Sequence, residues 1–321
     1  MKLVQYFNQM LKEKIDLKEY KFNLLNQKVQ TISTFFKQNE VFKELYINTY
    51  PQGSFGHGTI INPVRENHEF DADILLHVEE NSEWEPKDYI DNVYKQLKTN
   101  KLYEDIVSRR TRCVVINYKG DFHIDVVPCI KKENTISIMN NKENEFEETN
   151  PRKYTEWLKA KNTKTGNKLK KVIRIFKYLR DHKITFSAKS ILINTLLGNC
   201  VYDSDTPNEY LDVVDSFTLI MDRLDNFLQA NPTMPIITNP VCAEETFNRH
   251  WDQEKYENFR DKISFYNKKI KEAITETDKN QAIKKWQEIF GDAFPKELTK
   301  KNNDTLENIK KEAKDSKPWS Y

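Results

Sequence analysis

The sequence predicts an α+β protein: a mixed sheet with helices in the first half and an all-helical second half. Three observations carry this expectation. Apolar and polar residues alternate at the start of 70–78 (FDADILLHV) and in 122–128 (FHIDVVP), the period of a half-buried strand. Beyond Asn150-Pro151 the apolar spacing changes to that of helices. The chain also holds only seven glycines in 321 residues, where a usage of roughly 7% would supply roughly 22. That is too few for an all-β fold built on many tight turns.

Residues 1–40 read as helical, with apolar positions at Leu3, Phe7, Met10 and Leu11, then Leu24, Leu25, Val29, Ile32, Phe35 and Phe36. A short strand at 46–50 leads into a glycine cluster. Residues 70–78 end as a continuous apolar run, as a buried strand does. Pro86 opens a helix at its first position, followed by Tyr89, Ile90, Val93, Tyr94 and Leu97. Residues 111–118 (TRCVVINY), a Lys-Gly turn and 122–128 read as a β-hairpin. Asn150 and Pro151 form a cap and first-position pair. Helices then follow at 151–161, 168–182, 188–200, 209–229, 252–275, 279–290 and 303–315, with turn signals at Thr206-Pro207, Asn231-Pro232 and Asn239-Pro240. Two units are expected, 1–150 and 151–321.

Composition narrows the function. No apolar run approaches the roughly 18 residues of a membrane span. The N-terminus carries acids early and lacks the apolar core of a signal peptide. Cysteines 113, 129, 200 and 242 show no zinc spacing and read as buried reduced thiols, which suits the cytoplasm. A net charge of +2 predicts no partner by itself. Between Lys159 and Lys189, however, Asp181 is the one acid in a segment rich in Lys and Arg. This pattern suggests a local polyanion site; the alternative is a solvated helix face.

Two clusters carry chemistry. Gln52-Gly53-Ser54-Phe55-Gly56-His57-Gly58-Thr59 offers a backbone that a phosphate can approach, together with a hydroxyl. It has neither the spacing of a Walker loop nor that of a dinucleotide-binding loop, and the alternative is a plain tight turn. Asp71 and Asp73, two apart on a strand, point to one face, roughly 6.5 Å apart along the chain. Desolvating two acids beside LLHV is costly unless a cation supplies the counter-charge. Asp125 lies in the same situation on a neighbouring strand. Three carboxylates on adjacent strands suit Mg²⁺ or Mn²⁺, against the alternative of strand-end surface acids. On a helix, Lys170, Arg174 and Lys177 form one stripe beside the apolar arc of Leu169, Val172, Ile173 and Phe176.

A Gly-Ser pair after a strand, an apolar residue before D-x-D, and a third Asp on a later strand resemble the DNA polymerase β-like nucleotidyltransferases. The strings QGSFGHGTIINP, FDADILLHVEEN, FHIDVVP, RIFKYLRDHKITFSAKSILINTLL and ITNPVCAEETFNRHW are similar to the bacterial cGAS/DncV-like nucleotidyltransferases over roughly 45–255. The resemblance implies a nucleotidyltransferase core in 1–150, a helical nucleotide-binding lobe in 151–321, and an active site in the cleft between them. It implies an enzyme that joins NTPs, ATP among them, into a cyclic di- or trinucleotide second messenger in anti-phage (CBASS) signalling. Two Mg²⁺ or Mn²⁺ ions would lie on Asp71, Asp73 and Asp125, the catalytic residues. Gln52, Gly53, Ser54, Lys177 and Ser190 would bind the nucleotide, with Ser187 a competing choice for Ser190. An activating protein or nucleic acid and a downstream effector are the partners it implies, with no membrane. The same chemistry on an RNA end or another hydroxyl acceptor, or a non-catalytic nucleotide-binding relative, are the alternatives. His57 within the loop is a phosphate contact or a structural histidine. His68, His77 and His123 flank the acids without zinc spacing.

Overall fold

The structure, a computed structural model, describes residues 1–65, 69–118, 122–132 and 135–299. The first helix, α1 (Val4–Met10), runs into a π turn at Leu11–Ile15, and α2 (Glu19–Gln38) follows after a break. Residues 1–40, expected to be helical, thus hold two helices with a break between them. At the break Asp16 bridges Ile61 and pairs with Arg174 at 2.9 Å, and these tertiary contacts outweigh local helix propensity.

Next come β1 (Tyr46–Gln52), the single turn α3 (Gly53–Gly56), β2 (Phe70–Val78), α4 (Pro86–Lys98), β3 (Val107–Arg109), β4 (Val114–Tyr118), β5 (Phe122–Lys132), β6 (Thr135–Asn140) and β7 (Glu145–Thr149). The expected strands, the Pro86 helix and the hairpin are present, although the Lys-Gly turn lies outside the described residues. Helix α4 starts with a capping box between Glu85 and Asp88. Strands β3, β6 and β7 were not anticipated, being short or, as in EFEET, rich in acids.

The sheet runs β1-β2-β5-β4-β3, with β6 and β7 continuing from β5. Strands β2 and β5 are parallel. One face, including Phe70, Ala72, Ile74, Ile124 and Val126, packs against α2 and α4. The opposite face carries a smaller apolar cluster of Leu75, Cys113, Val115, Val127 and Cys129.

The second half contains α5 (Pro151–Lys164), α6 (Leu169–Lys183), α7 (Ser190–Asn199), α8 (Val213–Ala230), the short strands β8 (Thr238–Asn239) and β9 (Cys242–Thr246), α9 (Gln253–Thr275) and α10 (Lys279–Phe290). Asn150 caps α5 by accepting from the Lys153 amide. Helix α8 begins at Val213, not 209, because the Asp212 carboxylate caps the Val214 and Asp215 amides. The expected helix at 303–315 lies outside the described residues. Helix α1 packs with this half: the Phe7 ring meets Phe217, Trp286, Phe290 and Phe294. Among the described residues no helix is long and apolar enough to cross a membrane, and all four cysteines are free thiols.

Candidate active site

Strand register assembles the carboxylates. Gln52 of β1 faces Asp73 of β2, and Asp73 faces Asp125 of β5. Residues opposite one another on paired strands share a face, so Gln52, Asp73 and Asp125 form one row. Asp71 lies one pleat further along the same face, opposite His123. Asp71 is exposed and Asp73 partly so.

Burial, with like charges adding to it, marks this row electrostatically. Burial, reinforced by Asp71 and Asp125, pushes the Asp73 carboxyl up to about 7, with Lys177 opposing the shift. Burial also raises Asp125, against the pull of Arg110, Cys113 and His123. Cys113 donates its thiol to Asp125 Oδ2 at 3.4 Å, and Arg110 stands 3.5 Å from the same oxygen. Asp125 Oδ1 and Gln52 Oε1 are buried with no hydrogen-bond partner among the described residues. Two orphaned oxygens beside a carboxyl held near neutrality are the donor set that a hard divalent cation satisfies. Among the described residues no group of three or more acid, His or Cys side chains stands in an arrangement that could hold a metal ion, so the aspartates share a face without forming a finished site.

The glycine loop lies directly against this row. Gly53 has φ +58°, and a Cβ built on it would stand 1.9 Å from Asp73 Oδ2. Only hydrogen fits there, in a backbone conformation that L side chains rarely adopt. The turn closes with the His57 amide donating to Gly53 O and the Thr59 amide to Ser54 O, while Phe55 is buried against Phe22.

From the helical half, α6 brings its basic stripe directly onto the loop. Lys177, 2% exposed, donates from Nζ to Ser54 Oγ at 2.7 Å, Thr59 O at 3.1 Å and Thr59 Oγ1 at 3.2 Å. Arg174 donates to Gly58 O. Burial, the largest cause, lowers the Lys177 ammonium to about 7, with Arg180 adding to the shift. Below that value the folded state pays for a buried charge that the unfolded chain holds in water, and the cost is relieved as pH rises toward the ordinary lysine value. The difference in melting temperature between wild type and Lys177→Met is therefore expected to move in favour of wild type between pH 6.5 and 9. Melting curves at the two pH values check this; an unchanged difference contradicts it.

The structure thus brings Gln52, Gly53, Ser54, Asp71, Asp73, Asp125 and Lys177 together. Ser190 is the first residue of α7, half-buried, with no hydrogen bond to Ser54 or Lys177. Ser187 is exposed, and its carbonyl accepts from the Trp251 indole. His57 is buried, its ring tilted 40° to that of Tyr154 with centroids 5.1 Å apart, and lies 3.3 Å from the Asn194 amide. Burial, then Lys177 and Lys170, lowers its imidazole to about 3, so it is a neutral core histidine. The sequence assigns no site role to Thr59, which ends the glycine cluster, or to Arg110 and Cys113, which reach the site from an irregular turn. His68 lies outside the described residues.

Comparison with known proteins places this geometry in context. The family model for the Second Messenger Oligonucleotide or Dinucleotide Synthetase domain matches residues 1–162. A c-di-GMP synthase of Roseivirga ehrenbergii is 27% identical over 288 residues, covering 79% of this chain and 74% of that protein. A cyclic AMP-AMP-AMP synthase of an Acinetobacter species is 22% identical, covering 85% and 80%. Among solved structures, the Vibrio cholerae cyclic AMP-GMP synthase DncV superposes with a TM-score of 0.74 at 16% identity, covering 91% of this chain and 96% of that one. It shares the fold.

Proposed function

Because the chain belongs to the Second Messenger Oligonucleotide or Dinucleotide Synthetase family of cGAS/DncV-like nucleotidyltransferases, we propose that it joins nucleoside triphosphates into a cyclic di- or trinucleotide with release of pyrophosphate. The observation that carries this reading is the contact of the Gly53-Ser54 loop with both the aspartate row and Lys177. A donor triphosphate held on that loop would have its α-phosphate at the carboxylates. The synthases named above support a cyclic product.

Gly53 and Ser54 take the donor phosphates in this account, with Gln52 beside them and Lys177 and Ser190 on the helical side. Asp71 and Asp73 would hold both of two Mg²⁺ or Mn²⁺ ions, and Asp125 would complete the site of one. When bound, the ions acidify the attacking ribose hydroxyl and neutralise charge on the departing pyrophosphate. We assign to Asp125 Oδ1, which lacks a protein hydrogen-bond partner among the described residues, the acceptance of that hydroxyl proton. Lys177 gives up its bonds to Ser54 and Thr59 in exchange for phosphate oxygens. Phosphate would also supply a counter-charge to an ammonium that burial otherwise depresses. Residues 1–150 serve as the catalytic core and 151–321 as the nucleotide-binding lobe. We place the product in cytoplasmic anti-phage signalling.

The test is incubation with the four NTPs and Mg²⁺, with and without an RNA acceptor. A phosphatase-resistant product formed without RNA is expected. Transfer that requires the RNA end would replace this reading with that of an RNA-modifying enzyme.

A further inference from the structure

The glycine loop touches the helical half at more than one point, and the points differ in kind. Lys177 holds Ser54 and Thr59, and donor phosphates compete for that ammonium. Arg174 reaches Gly58 O at the surface, while its Nε pairs with Asp16. The contact made by His57 is buried. This residue, 5% exposed at the end of the α3 turn, meets both α5 and α7. Its ring lies against Tyr154, and its Nδ1 accepts from Asn194 Nδ2 at 3.3 Å.

The groups that receive His57 are themselves fixed. The Tyr154 hydroxyl shares a hydrogen bond of 2.8 Å with Thr195 Oγ1, which donates to Ile191 O. Trp157 of α5 packs so closely on Gly198 of α7 that a Cβ added there would stand 2.3 Å from the indole. Asn194 is 1% exposed, and its Oδ1 has no hydrogen-bond partner among the described residues. A buried amide satisfied at one end only is costly, and the bond it does make is the one to His57. Asn194 lies four residues after Ser190, on the same face of α7. On the loop side, the His57 amide donates to Gly53 O at 2.9 Å. One side-chain contact thus connects the backbone at Gly53 to the helical turn that begins with Ser190.

Resting on the function proposed above, we infer that His57, held by Asn194, is a positioning residue for nucleotidyl transfer: it keeps the Gly53-Ser54 loop docked on the helical half while Lys177 exchanges its loop bonds for phosphate oxygens. A loop fastened at its centre by Lys177 alone would come loose when the donor α-phosphate has to stay in line with the carboxylates. Displacement by about 1 Å at a reacting centre costs on the order of a hundredfold in rate. The imidazole suits the task because burial keeps it neutral, so the incoming phosphate gains no charge by drawing it away.

The experiment follows hydrogen exchange of the amides in 53–59 and NTP turnover, on the full-length chain. Asn194→Leu removes the donor at similar volume. His57→Phe keeps a ring against Tyr154 and removes the acceptor, and His57→Asn returns an acceptor near the place of Nδ1. With Mg²⁺ and the α,β-methylene analogue of ATP or GTP bound, loop exchange is expected to accelerate about tenfold or more in the first two variants. Without nucleotide, when Lys177 still holds the loop, it stays close to wild type. The same variants lose kcat on the order of ten- to a hundredfold and bind the analogue within about threefold of wild type. His57→Asn recovers part of kcat, and combining His57→Phe with Asn194→Leu costs no more than either alone. Acceleration that is equal with and without nucleotide, or a lowered melting temperature with unchanged kcat, is the result for a merely structural contact and overturns the inference. So do variants that match wild type in both loop exchange and kcat. If wild type neither binds nor consumes any NTP, the proposed function fails. Lys177→Met then frees the first contact without nucleotide: adding Asn194→Leu to it must speed loop exchange beyond either single variant, and no further acceleration overturns the inference.

Discussion

Replacing Asp71 and Asp73 together by alanine is expected to abolish nucleotidyl transfer and to leave the fold intact. Both aspartates lie on the face of β2 turned away from Phe70, Ala72 and Ile74, so the apolar core loses nothing. On the proposed reading, what disappears is the anchorage that would hold the ions. Their electrostatic work is several kcal/mol in the transition state, and each 1.36 kcal/mol is tenfold in rate, so a loss of at least about a thousandfold follows. Stability moves the other way. The folded state raises the Asp73 carboxyl to about 7, so its ionisation penalises folding increasingly above the ordinary aspartate range and fully above pH 7. The double variant should therefore melt no lower than wild type at pH 8, and compare less favourably at pH 5, where Asp73 is protonated in the folded protein. Pyrophosphate release and melting curves measured together check both statements. Turnover within tenfold of wild type at saturating Mg²⁺ would remove these residues from the active site.

Gly53→Ala is expected to inactivate the enzyme through a single methyl group. The new Cβ would meet Asp73 Oδ2 at 1.9 Å and Cγ at 2.8 Å, so the carboxylate has to leave its place in the row. A misplacement of about 1 Å at a reacting centre costs on the order of a hundredfold. The backbone at φ +58° adds a conformational penalty of roughly 1 kcal/mol or more. Gly166→Ala separates the two effects. It shares φ +58°, yet its added Cβ meets only the Lys168 ammonium, at the end of a flexible side chain. That variant should lose some stability and keep its activity, whereas Gly53→Ala loses both. Equal activity of the two variants would show that the contact with Asp73 is unimportant.

Much of this site is legible in the sequence because local rules place it. A period of two puts Asp71 and Asp73 on one face of β2, and the alternation in FHIDVVP does the same for Asp125. A helical stripe beside an apolar arc puts Lys177 at the edge of the buried face of α6. The structure adds what no local pattern encodes. Gln52 joins the aspartates only through the register of β1 on β2, and Thr59 meets Lys177 from 118 residues away. Arg110, Arg112 and Cys113 acquire their partners because one irregular turn lies between Asp125 and β7. The break between the first two helices has the same origin: Asp16 finds Ile61 and Arg174 far along the chain. Strand β7 escaped notice because acids fill its alternate positions, and one of them, Glu147, is held by Arg112 instead of by solvent.

The stoichiometry of pyrophosphate release tests the central claim most directly. Closing a ring from n triphosphates releases n pyrophosphates, whereas a linear oligonucleotide keeps one terminal triphosphate and releases one fewer. With purified protein, NTPs and Mg²⁺ and no other acceptor, one pyrophosphate per NTP consumed is expected, together with a product whose mass matches a cyclic di- or trinucleotide. A ratio of one half or two thirds with a triphosphate-bearing product, or no release at all from NTPs alone, would contradict the account.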